Sequence, residues 1–151
     1  MTPGIPFLVE PPTGRPHPFR VVTDGERSNG LALGDTRLPP GTPGPGRHVH
    51  THEDEALYVT AGTLTVEVGA HRYEAGPESF VFLPRSLPHA FANFGEEEVR
   101  AVVLFSSPAL ARMFEEQAAY RASLAGPPDP AVLTEISERY GVRPLGGPLL
   151  R

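Results

Sequence analysis

Along most of this chain apolar positions alternate with polar ones, and that alternation predicts strands. Leu64-Thr65-Val66-Glu67-Val68 shows it most strictly, with an apolar side chain at every second residue. A pleated strand sends successive side chains to opposite faces, so such a segment buries one face and wets the other. The same reading gives strands at Phe19–Thr23, Leu31–Leu38, Leu57–Thr60, His71–Glu74, Phe80–Leu83, His89–Ala92 and Val99–Phe105, the last apolar enough to be buried on both faces. Ala61-Gly62-Thr63, Gly69-Ala70 and Gly76-Pro77 supply turns between them. About eight short strands joined by Gly/Pro turns argue for a small β-barrel or jelly roll.

After residue 106 the period changes. Ser107-Pro108 reads as the N-cap and first residue of a helix. Leu110, Met113, Phe114 and Gln117 then share one stripe, and Ala125–Pro130 breaks the helix. Asp129 and Pro130 start a second helix, with Leu133, Ile136 and Tyr140 spaced to dock against the barrel. The tail GVRPLGGPLL is apolar but too interrupted for a helix, and is expected to pack across a subunit boundary. Residues 1–18 are Pro-rich and extended, suited to a sheet edge or a partner subunit. The chain therefore divides into an N-terminal arm (1–18), a barrel (19–106) and a helical C-terminal extension (107–151).

Composition narrows the classes. A length of 151 residues with 39% apolar content suits one domain with one core, and 19 Pro with 16 Gly favour short strands over long helices. The net charge of −5, without a basic run, argues against nucleic acid as a partner. With no cysteine, disulfides, thiolate metal ligands and a cysteine nucleophile are excluded. The first residues lack a basic segment followed by an apolar one, and no apolar run approaches the ~20 residues that span a bilayer. A soluble cytoplasmic protein without membrane contact is the expectation. Ser79, Ser86, Ser106 and Ser107 lack a GxSxG setting, and the loop PPGTPGPG is too rich in proline to cradle a nucleotide.

The chemistry concentrates in His48-Val-His50-Thr-His52-Glu-Asp-Glu55, answered by Pro84-Arg-Ser-Leu-Pro-His89-Ala-Phe-Ala-Asn93. On one strand His48, His50 and His52 share a face. Glu55 has the opposite parity and joins them only if Thr51–Asp54 turns and resets the register. His89 follows Leu87-Pro88, where a loop can aim it inward. Three neutral nitrogens and one carboxylate oxygen make a good set for a divalent first-row metal. The alternative is a polar surface strand with incidental histidines, against which stands the clustering of three of the chain's 6 histidines within five residues. His52 is either an auxiliary donor or turned out at the barrel mouth. Glu53 and Asp54 can orient His50 through its free ring nitrogen, or simply be solvated, the reading preferred for Glu53. His17 and His71 read as surface residues. The loop Pro39–Gly46, just before the cluster, reads as a pocket rim, and some of Tyr58, Phe80, Phe82, Phe91 and Phe94 are expected to face the lumen.

His48-x-His50, four residues, Glu55, six residues, Gly62 resembles the first motif of the cupin superfamily, and Pro84-x-Ser86-x2-His89-x3-Asn93 resembles the second. Ser86 stands where the second motif has glycine, and the glycine that leads the first motif falls one residue early, at Gly41. The stretch DEALYVTAGTLTVEV, then FVFLPRSLPHAF and a helical extension, is most similar to small single-domain cupins of the quercetin-2,3-dioxygenase-like group. The resemblance implies an all-β double-stranded β-helix with His48, His50, Glu55 and His89 as ligands of one divalent metal. Fe, Mn, Ni, Co, Cu and Zn all accept that set. It also implies a homodimer.

Three functions follow as expectations. In the first, a dioxygenase acts on a small oxygen-rich flavonol-, catechol- or diketone-like substrate, with Glu55 doubling as general base. In the second, the metal is a Lewis acid in a non-redox cyclase or isomerase of polyketide-like substrates. In the third, the barrel binds a small molecule without turnover.

Overall fold

A computed structural model describes residues 6–14 and 18–151. Ten strands and two helices follow one another as β1 (Phe19–Asp24), β2 (Ala32–Leu38), β3 (His48–His50), β4 (Glu55–Ala61), β5 (Leu64–Val68), β6 (His71–Ala75), β7 (Phe80–Leu83), β8 (His89–Ala92), β9 (Val99–Phe105), α1 (Ala109–Ala122), α2 (Pro130–Arg139) and β10 (Val142–Pro144). The strands form two five-stranded antiparallel sheets, ordered β1-β2-β9-β4-β7 and β10-β3-β8-β5-β6. This is the double-stranded β-helix expected from the sequence.

Alternation decides which side chains fill the space between the sheets. Leu57, Val59, Val81, Leu83, Ala101, Val103 and Phe105 from the first sheet meet Leu64, Val66, Val68 and Phe91 from the second in one buried cluster. Each fully buried side chain of this kind stabilises the fold by about 1.5–3 kcal/mol. Opposite parity sends Tyr58, Phe80 and Phe82 outward, where they are 39%, 61% and 53% exposed. Gly62 turns β4 into β5 at φ +70°, and a Cβ there would lie 2.6 Å from the carbonyl oxygen of Glu98. That explains the glycine at this motif position.

Helix α1 starts at Ala109, one residue later than read, with Pro108 as the cap residue; the Ser107 hydroxyl donates to Glu53 and accepts from the Ala109 N–H at 3.3 Å. Leu110, Ala111 and Met113 are buried, and Phe114 packs on Phe19 with ring centroids 4.2 Å apart. Asp129 caps α2 by accepting from the Ala131 N–H. From α2, Ile136 is buried while Val132 and Tyr140 pack against the core; Leu133 is not part of that cluster.

Part of the tail packs within its own chain. Val142–Pro144 adds β10 to the free edge of β3, and Leu149 is buried against Ala90 and Ala92 of the same chain. Of the N-terminal arm, residues 6–14 are irregular and exposed, with the Phe7 ring 4.3 Å beneath the Arg27 guanidinium. Residues 1–5 and 15–17, including His17, lie outside the described residues. Among the described residues no helix is long and apolar enough to cross a membrane.

Candidate metal centre

The two motifs meet because strands far apart in the chain are neighbours in space. His48 on β3 stands directly opposite His89 on β8, and His50 opposite Val142 on β10. Glu55 opens β4 in the other sheet, between Leu83 and Phe105. The parity problem is thus resolved by a change of sheet: Thr51–Asp54 carries the chain from one sheet to the other. That crossing is pinned by the Thr51 N–H to the Gly141 carbonyl (2.8 Å), and by Asp54 and Ser106 bonding in both directions at 2.9 and 3.0 Å. The carboxylate therefore faces the three imidazoles across the barrel.

Ligand atoms of His48, His50, Glu55 and His89 all lie within 4.8 Å of one another. Imidazole centroids are separated by 5.0 Å (His48–His50), 4.5 Å (His48–His89) and 4.8 Å (His50–His89). One Glu55 oxygen, Oε2, is 3.6 Å from His50 Nδ1 and 3.7 Å from His89 Nε2. His50, Glu55 and His89 are buried, and His48 is half-buried.

Backbone carbonyls set the tautomers. His48 Nδ1–H donates to the Gly46 oxygen at 2.8 Å and His89 Nδ1–H to the Leu87 oxygen at 3.0 Å, so Nε2 of each ring keeps a free lone pair. His50 Nδ1 and His89 Nε2 are fully buried without a hydrogen-bond partner. Orphaned buried nitrogens are costly unless something else coordinates them. Converging lone pairs beside a carboxylate are what a divalent cation requires, so the residues fit one metal ion.

Electrostatics agree. Burial, reinforced by the neighbouring His89, lowers the His48 pKa. Burial takes His50 down to about 4, although Glu55 pulls the other way. Burial opposes ionisation of Glu55 most strongly, yet the three imidazoles together hold its pKa below the ordinary value. Neutral imidazoles and an ionised carboxylate are the ligand forms of these groups. A Glu55 acting as general base requires either detachment from the metal or a raised pKa, and this setting lowers the pKa.

The other candidates are not part of the cluster. His52 is exposed and packs near Gly141, and His71 is exposed and stacks on Tyr73. Asp54 turns away from His50 to form a bidentate pair with Arg85, with contacts of 3.2 and 2.7 Å, which pushes its pKa down to about 2. Glu53 corrects its reading as a solvated turn residue: it is only 4% exposed and accepts from the Ser107 hydroxyl at 2.9 Å. It ties the crossing to the start of α1. Sequence reasoning did not foresee the carbonyls of Gly46 and Leu87 as the groups that orient the histidines; each lies two residues before its histidine.

His48, His50 and Glu55 open onto a cavity of about 930 Å³. Its walls are mainly apolar and include Phe19, Val21, Leu38, Phe91, Val103, Met113 and Phe114; Thr42–Gly46 forms its rim, and Pro12 and Gly14 of the arm border it. Of the five aromatics considered for the lumen, only Phe91 lines the cavity. The rim is anchored by motif residue Asn93, fully buried, whose amide nitrogen is 2.8 and 3.1 Å from the Leu38 and Pro39 carbonyl oxygens.

Residues 34–105 match the family model described as Cupin domain. Polyketide synthase CurC of Streptomyces cyaneus is 31% identical over 55 residues, a match covering 36% of this chain and 36% of that protein. The cupin domain of Schizosaccharomyces pombe Cnp3 superposes with a TM-score of 0.52 at 20% identity, over 62% of this chain and 63% of that one. DMSP lyase DddQ of Ruegeria pomeroyi superposes with a TM-score of 0.50 at 25% identity, over 58% and 45%. The fold, the motifs and this match coincide on the same stretch of chain, and His48, His50, Glu55 and His89 within it can hold one metal ion.

Proposed function

We propose that this protein is a metal-dependent enzyme acting on a bulky, oxygen-bearing substrate of the polyketide or flavonol type. The observation that carries this reading is the buried three-histidine, one-carboxylate cluster in the wall of an apolar cavity of about 930 Å³. Such a cavity falls within the size range of small-molecule sites. A divalent transition metal held by His48, His50, Glu55 and His89 would supply Lewis acidity towards a carbonyl or enolic oxygen.

The chain's own residues do the rest. Phe19, Phe91, Met113 and Phe114 exclude water and hold an apolar body. The carbonyls of Gly46 and Leu87 fix two imidazoles so that the cluster does not reorganise as substrate arrives. Glu55, held ionised beside the three histidines, supplies the one anionic ligand of the set.

Of the reaction types open from the sequence, the non-oxidative one gains most support. The proteins that matched include one named for polyketide synthesis and one named as a lyase. The test reconstitutes the protein separately with Fe(II), Mn, Ni, Co, Cu and Zn and presents flavonols, catechols and poly-β-ketones, following oxygen uptake and product mass together. Expected is metal-dependent conversion without oxygen uptake, lost in His89→Ala together with metal binding while the far-ultraviolet spectrum stays that of a barrel. Stoichiometric oxygen uptake would install the dioxygenase reading instead. Binding without conversion would make the protein a small-molecule binder.

A further inference from the structure

The cavity is chemically graded along helix α1. Met113, Gln117 and Arg121 recur every four residues, which puts them on one stripe, and all three line the cavity. The stripe runs from an apolar side chain through a buried amide to a guanidinium in the last turn of the helix.

Charges around the cavity are not equally free. Arg20 is committed to Asp35 at 2.8 Å, and Arg47 is committed to Glu67. Glu115 also lines the cavity, but its charged neighbours are Asp24, Glu26 and Arg112 rather than Arg121. Arg121 has no carboxylate within 4.0 Å among the described residues; its Nη1 is 3.5 Å from Gln117 Oε1, at the outer limit of a hydrogen bond. Gln117 is itself held in place, since its Nε2 donates to Ser137 Oγ at 2.9 Å and Ser137 donates on to the Leu133 carbonyl. A half-buried cation with no carboxylate partner among the described residues, in the wall of a mainly apolar cavity and beside a fixed amide, is placed to receive an anion that arrives with the ligand.

We infer that Arg121, positioned by Gln117, binds a carboxylate carried by the substrate at the end remote from the oxygens that meet the histidine cluster. The ligand class is thereby narrowed to an apolar, multi-ring or extended acid with a chelating keto–enol or keto–phenol at one end. This rests on the cavity being the substrate site, as proposed above. A planar guanidinium takes a carboxylate through two parallel N–H donors, whereas an ammonium offers one point charge. A cation in the last turn also complements the helix dipole, but that function is indifferent to the ligand.

The test compares two probes that share a keto–phenol head and three fused rings: rhein, which carries a carboxylate, and chrysophanol, which carries a methyl group in its place. Their dissociation constants are measured by fluorescence titration against the Zn(II)-loaded and the EDTA-treated protein, and the readout is their ratio. In the wild type the carboxylate probe is expected to bind about tenfold more tightly, as one charge-assisted bidentate contact supplies. Arg121→Gln brings the ratio to about one, and Arg121→Lys, which keeps the charge and the dipole interaction, leaves an intermediate ratio. Melting curves and zinc stoichiometry report on the folding of each variant. A wild-type ratio of one overturns the inference, as does an unchanged ratio in Arg121→Gln. An Arg121-dependent preference accompanied by absolute dissociation constants that EDTA treatment leaves unchanged keeps the inference and removes the metal reading of the site. If neither probe binds, both fall.

Discussion

Ser86 shows what one residue out of pattern does. It occupies the glycine position of the second motif and adopts φ +65°, while its N–H donates to the His50 carbonyl at 2.7 Å. A side chain in this left-handed region costs about 1–2 kcal/mol, partly offset by the flexibility glycine brings to the unfolded chain. Ser86→Gly is therefore expected to stabilise the protein by about 0.5–1 kcal/mol, read as a higher urea midpoint with unchanged slope. A lower midpoint would mean the serine hydroxyl contributes more than its backbone costs. The departure was visible in the sequence, but its sign depends on a dihedral angle that only the fold sets. His50 carries a second prediction. Its folded pKa, about 4, lies below the unfolded value of 6.5, so the unfolded chain binds a proton over that window that the folded chain refuses. Stability of the metal-free protein should fall as pH drops from 6.5 towards 4, by about 3 kcal/mol at most from this residue. His48, shifted in the same direction, adds to the loss. Urea unfolding of wild type and His50→Gln at neutral and acid pH checks it; an equally steep decline in the variant would remove His50 as a cause.

At the scale of elements, the strands followed from alternation most directly where one face is buried, as in β2 and β7, and the helices from their stripes and, for α2, the Asp129 cap. Two elements did not. The crossing at Thr51–Asp54 carries no periodicity, and its shape comes from Gly141 and Ser106, which are distant in sequence. The tail strand β10 is only three residues long and includes a proline, Pro144, tolerated because β10 is an edge strand. Its partner is β3, the strand that carries His48 and His50, with Val142 opposite His50 and Pro144 opposite His48. Ending the chain after Gly141 is therefore expected to weaken the metal site as well as the fold. The loss of buried Val142 and Leu149 destabilises by about 1.5–3 kcal/mol for each side chain. Calorimetric zinc titration of the truncated, still folded protein should show a weaker dissociation constant. An unchanged one would show that β3 holds its histidines without β10.

For the whole molecule, the outer face of the first sheet remains to be placed. Exposed Tyr58 stands opposite exposed Phe80 and half-buried Val102, and buried Ala56 lies between exposed Phe82 and half-buried Leu104, which makes two adjoining apolar rows. Contiguous exposed patches of this kind mark association surfaces, and the homodimer expected from the sequence is proposed to form there. Phe80→Ser with Phe82→Ser should then lower the mass measured by sedimentation to that of one chain, whereas an unchanged mass would move the interface elsewhere. The cavity belongs to this scale too, since the arm, β1, the rim loop, α1 and β10 each supply part of its wall. The sequence by itself determined the strand-rich class, the turns and the four residues that come together as ligand candidates, because periodicity and motif spacing are local properties that survive without coordinates. Only the tertiary structure decided that Glu55 reaches the histidines by changing sheets, that Glu53 is buried, that Tyr58, Phe80 and Phe82 face outward, and that Arg121 shares a cavity with the cluster. Each of these depends on which distant strands become neighbours, and burial, parity and charge pairing are fixed only once they do.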